Sequence, residues 1–148
     1  IALGVLAEVG IFLIARRLIS QFGVWNLLFV SIALTGLRWY VMAAFADTFM
    51  VIVLSQLIHA LSFGLTHAVS VHFIHQFLPK AYHSRGQAVY ISVAFGLGGA
   101  FGNYMAGQQW QQGTNAYETF FTAAVFAIVG ALSLLLCSKK DMDESKAV

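Results

Sequence analysis

Residues Phe49–Ile74 read FMVIVLSQLIHALSFGLTHAVSVHFI, with no Asp, Glu, Lys or Arg among them. As a helix the run is long enough to cross a bilayer core of about 30 Å, which takes roughly 20 residues. Its polar residues are not scattered. Ser55, His59, Ser62, Thr66 and Ser70 recur every three or four positions and so fall on one stripe of a helix. Gln56 and His67 border that stripe. In water it would be an ordinary wet face. In a membrane it must line a cavity or a polar contact between helices.

Four further segments share this apolar character. With the first they give spans at about 1–19, 24–46, 49–74, 87–107 and 117–137. The breaks between them are turn-like: Ser20 to Gly23, Asp47-Thr48, the stretch around Pro79, and Gln108 to Ala116. The only proline lies in a loop, so none of the spans should kink at a proline. The expected fold is all-α, a polytopic transmembrane helical bundle over 1–137. A short charged tail at 138–148 is expected to be disordered. Of the chain's 148 residues 59% are hydrophobic and only 9% charged, where a soluble domain would be about a quarter charged. The single cysteine, Cys137, excludes an internal disulfide and a cysteine-based zinc site. The chain opens within an apolar run, without an initiator Met, and reads as a piece of a longer protein.

Charge sets the expected orientation. Arg16 and Arg17 follow the first span, Lys80 and Arg85 separate the third from the fourth, and Lys139, Lys140 and Lys146 follow the fifth. All of these fall on one side of a five-span threading. The other side carries Asp47 and Glu118 but no Lys or Arg. The positive-inside rule then places the N-terminal end outside and the C-terminus in the cytoplasm.

Three ionisable residues lie within spans: Glu8 in the first, Arg38 in the second and His59 in the third. At 1.5 Å of rise per residue Glu8 sits about 16 Å from the cytoplasmic end of its span, and His59 about 15 Å from the external end of its own. Arg38 is about 10–12 Å deep from the external end. All three share one slab near the midplane. Charge in hydrocarbon is costly, so such residues usually mark a substrate or ion pathway. Glu8 would accept hydrogen bonds from a hydroxyl or pair with Arg38. Arg38 would hold a carboxylate in its planar fork, and His59 titrates near neutral pH. The alternative is a Glu8–Arg38 pair that only fixes helix packing, beside a satisfied His59. Gly4, one turn before Glu8, would let another backbone approach. Gln56, Ser62, Gln87 and Tyr90 are further candidates for binding substrate or proton. His72 and His75, at i and i+3, are a weak metal pair; no metal, cofactor or nucleic-acid site is expected. Gly98 and Gly102 form a small-xxx-small contact on the fourth span.

Several segments carry a family resemblance: Gly4-Val5-Leu6-Ala7-Glu8, Leu37-Arg38-Trp39, Gln56-Leu57-Ile58-His59-Ala60, and Arg85-Gly86-Gln87-Ala88-Val89-Tyr90 with the glycines after it. From Ile1 to about Cys137 the chain resembles the C-terminal half of a major facilitator superfamily transporter. It is most similar to the phenylpropionic acid permease-like branch, related to lactose permease and the nucleoside:proton symporters. The resemblance implies that the five spans are helices 8–12 of a 12-helix fold, and that an N-terminal half is missing. It implies that Glu8, Arg38 and His59 contact sugar or couple protons. One position departs. The lactose permease branch has a proton-carrying Glu three residues after the His, and here that residue is Ser62.

The expected function is secondary active transport, not enzymatic. A small organic solute (an aromatic acid, sugar or nucleoside) would move with protons by alternating access, through a bacterial inner membrane. Two other classes compete. One is a structural or assembly subunit whose charges join helices. The other is a membrane enzyme using histidine-bound metal.

Overall fold

A computed structural model describes residues 2–144. Ile1 and residues 145–148, with Lys146, lie outside the described residues. Among the described residues there are helices and turns and no strand. Helix α1 spans Ala2–Phe22 and α2 spans Val24–Phe45. Gly23 separates them with φ 78°, a left-handed turn that glycine makes without steric cost. Helices α3 (Phe49–His59) and α4 (Leu65–Phe77) are one unbroken rod, joined by a π-helical turn at Ala60–Gly64. Leu78, in front of Pro79, is extended at φ −103° and ψ 145°, which ends α4. Helices α5 (His83–Ile91) and α6 (Gly98–Trp110) are joined the same way, by a π turn at Ser92–Leu97. Gln111 and Gln112 both have positive φ and reverse the chain into α7, Ala116–Ser133.

Set beside the expected spans, these helices differ most at the fourth. That one was expected at 87–107 but begins at His83 and runs to Trp110, because the turn after Pro79 leads straight into helix. Among the described residues three helices are long and apolar enough to cross a membrane: Val24–Phe45, Phe49–Phe77 and Ala116–Leu136. Helix α1 carries Glu8, Arg16 and Arg17, and the rod at 83–110 is rich in glycine and polar residues.

The tail departs from expectation. Lys139–Glu144 forms a short helix, α8, rather than a disordered segment. Asp143 Oδ1 accepts the backbone N–H of Trp25 at 3.0 Å, at the otherwise uncapped start of α2. Lys139 Nζ donates to Asn26 Oδ1 at 3.0 Å, and Met142 packs against the core. These contacts order a stretch that composition alone leaves free.

Helix α2 is central. It lies along α7 on one side and against α3 and α4 on the other. Helix α1 packs onto the first π turn and α4. The buried core sits where α1, α2 and α4 meet, built from Ile11, Val24, Leu27, Leu28, Ala60, Leu65 and Val69. Most other large apolar side chains face outward, as lipid-facing surfaces require.

Candidate functional site

Glu8 and His59 meet inside the bundle. Glu8 Oε1 lies 3.4 Å from His59 Nε2, with the carboxylate side chain 19% and the imidazole 32% exposed. Among the described residues this is the only close contact between an acidic side chain and a basic or histidine side chain. Two glycines let α1 come close enough to make it. A Cβ on Gly64 would sit 3.3 Å from Glu8 Cγ, and one on Gly4 would touch Gln56 and His59. Gln56 therefore borders the pair on its outer side. His59 Nδ1 is buried without a partner. The His59 ring stacks on Phe63, with centroids 5.1 Å apart and planes 15° from parallel.

Arg38 is not part of this pair. Its side chain is buried at 9% exposure, and its guanidinium lies over the Trp39 ring, 4.1 Å from the centroid. Its Nε has no partner. It borders a small cavity of about 110 Å³ with Val41, Val51, Leu54, Ser55 and Ile58. The expected Glu8–Arg38 pairing fails because α1 packs on the π turn of the third span, which turns Glu8 toward His59.

The hydroxyl stripe resolves into backbone and helix contacts. Ser31, Ser55 and Ser62 donate to the carbonyls of Leu28, Ile52 and His59, one turn back. Thr66 Oγ1 donates to Ser31 Oγ at 2.8 Å, which joins α4 to α2, and also lies close to the Ser62 carbonyl. Ser62 is fully buried, so it faces protein and not a cavity.

The last two candidates separate. Tyr90 Oη lies 3.4 Å from His67 Nδ1, and Tyr90 lines a cavity of about 390 Å³ with Phe63, Thr66, His67, Ser70 and Phe95. Gln87 instead reaches the last turn of α4, where Nε2 meets His75 Nε2. His75 stacks on His83 with centroids 4.2 Å apart. Among the described residues no three His, Cys, Asp or Glu side chains are grouped to hold a metal ion. Sequence reasoning passed over Phe63 and Phe95. Their signal was present: Phe63 sits midway between His59 and His67, four residues from each.

Residues 1–123 match the model of the MFS_1-like family. The chain belongs to this family of the major facilitator superfamily. It is a membrane-transporter family and not a family of enzymes. The chain is also similar to the maltose permease of Geobacillus stearothermophilus, at 31% identity over 130 residues. That match takes in 86% of this chain and 32% of the permease, so the chain spans about a third of that relative's length. No solved structure matches it.

Proposed function

We propose that this chain supplies part of the C-terminal half of a proton-coupled symporter for a small neutral sugar. Rigid-body rocking against an N-terminal half would give alternating access. The observation that carries the reading is the Glu8–His59 pair at 3.4 Å, set among apolar membrane helices with His59 Nδ1 left unpartnered. An intramembrane ionisable pair with spare hydrogen-bonding capacity is suited to exchange a proton and a substrate hydroxyl. Ser62 cannot carry a proton, so coupling would fall to Glu8, to His59 or to a residue of the N-terminal half, and the pair is the candidate this chain offers. A neutral solute fits the Glu8–His59 pair better than an aromatic acid, because Arg38 borders a separate cavity of only about 110 Å³ and does not join the pair. The similarity to a maltose permease supports a sugar.

The five helical rods would each cross the bilayer, with the arginine- and lysine-bearing ends in the cytoplasm and the start of α1 outside. A bacterial cytoplasmic membrane is the proposed location.

The test uses the full-length protein in liposomes, with radiolabelled maltose and an inward proton gradient. Wild type should accumulate the sugar uphill. Glu8→Gln should reduce that accumulation by at least about tenfold, as expected for losing a charged hydrogen bond of roughly 1.5–3 kcal/mol. If uphill uptake and equilibrium exchange both stay at wild-type levels in Glu8→Gln, the pair does not couple transport.

A further inference from the structure

Both long rods break their α-helical pattern once, at Ala60–Gly64 and at Ser92–Leu97. Such π turns are rare and occur mostly at functional sites. Each contributes one large aromatic side chain, Phe63 and Phe95. The two rings meet edge to face, with centroids 5.7 Å apart and planes at 75°.

The neighbours of this corner are polar. Phe63 stacks on His59, the partner of Glu8. Phe95 meets His67 at 5.9 Å and 68°, and Tyr90 at 5.8 Å and 83°. Phe63 and Phe95 are 40% and 39% exposed. On a lipid-facing surface that exposure would be unremarked. This face also carries Glu8, His59, His67 and Tyr90, and hydrocarbon contact would leave their polar atoms unsatisfied. The two phenyl rings therefore face a cavity. Its volume, about 390 Å³, lies in the range of small-molecule sites. No Asp, Glu, Lys or Arg lines it.

We propose that Phe63 and Phe95 form an aromatic corner that receives the apolar face of a sugar ring and sets the specificity of the transporter. The inference rests on the sugar-symporter reading above. An aromatic ring carries partial negative charge on its face. The C–H groups on one face of a pyranose are weakly positive and would lie against it. The ring hydroxyls would then reach His67 and Tyr90 at one rim, and the Glu8–His59 pair beyond Phe63. His67 Nδ1 and Tyr90 Oη lie 3.4 Å apart, a long contact that a ligand hydroxyl could replace. A charged ligand would find no counter-charge in the corner.

The experiment measures maltose uptake by the full-length protein in liposomes. Phe63→Leu and Phe95→Leu keep apolar volume and remove the ring face. Each should raise KM for maltose about 3- to 10-fold with little change in kcat, as the loss of an aromatic contact predicts. Phe95→Tyr should restore the wild-type KM. Phe101→Leu, at the α6–α7 contact away from the corner, should change neither constant. A purely structural role would instead lower kcat or protein level and leave KM unmoved. If wild type carries maltose and both leucine variants keep its KM, the corner is wrong and the symporter reading stands. If wild type carries uridine or 3-phenylpropionate but no sugar, both fall. Should the leucine variants fail to accumulate, Phe95→Trp decides, since its emission should change on adding saturating maltose. An unchanged emission overturns the proposal.

Discussion

Glu8 reaches His59 only because residue 64 has no side chain. A Cβ there would stand 3.3 Å from Glu8 Cγ, a tight contact, and 3.8 Å from its Cα, an ordinary one. Alanine would need a shift of a few tenths of an ångström. Valine adds two methyl groups in the same place and would push α1 outward. Gly64→Val should cost about 1–3 kcal/mol, the usual penalty for overfilling a packed site. It should also cut uphill uptake of maltose by the full-length protein as severely as Glu8→Gln. Gly102→Val in α6 is the control, because a Cβ at Gly102 meets nothing within 4 Å. Equal uptake by the two valine variants would show that the close approach of α1 is unimportant. At this scale the sequence singled out Glu8, Arg38 and His59 as ionisable residues within apolar runs. It could not announce their pairing. Depth follows from residue count along one helix, whereas pairing depends on how two helices rotate about their axes. Arg38 shows the difference: its place in an apolar run could be read, and its stacking on Trp39 could not.

At the scale of elements, the hydroxyl stripe of the third span was legible and its destination was open. A hydroxyl in lipid is satisfied either by water in a cavity or by a carbonyl one turn back. Ser55 and Ser62 take the second course. The π turn after His59 was hidden, since no proline or glycine pattern marks it and residues 49–77 read as uniform helix. Only Thr66 reaches across, to Ser31 of α2 at 2.8 Å. That bond links the central helix to the rod that carries His59. Hydrogen bonds between membrane helices are modest, averaging about 0.6 kcal/mol with a maximum near 1.7. Ser31→Ala and Thr66→Val should each destabilise the protein by roughly this amount in detergent unfolding. The double variant should lose less than the sum, giving a coupling of about 0.6 kcal/mol. Strict additivity would mean that the two hydroxyls act separately.

For the whole molecule, the sequence predicted a fold of apolar rods whose basic ends share one face. The described contacts bring those ends together. Asp143 of α8 binds the Trp25 backbone at the α1–α2 turn, and Lys139 binds Asn26. Arg16, His72, Gln76 and Asp143 line a common cavity, so the end of α4 reaches the same face. Composition could not foresee the tail's helix, because its stability comes from docking onto α2 and not from its own propensity. This shared face constrains topology, since α1, α4 and α7 must all end on the same side of the bilayer. The positive-inside rule names that side as cytoplasmic, and Cys137 can report it. Cys137 is exposed, free, and adjacent to the docked tail. In a full-length protein with no other cysteine, a membrane-impermeant maleimide should label it in inside-out vesicles and leave it unlabelled in right-side-out vesicles. Detergent should make both preparations react equally, which separates a closed membrane from a hidden thiol. Labelling only in right-side-out vesicles would reverse the orientation. The Glu8–His59 site would then face the opposite proton reservoir at each step of the cycle, and its coupling would have to be redrawn.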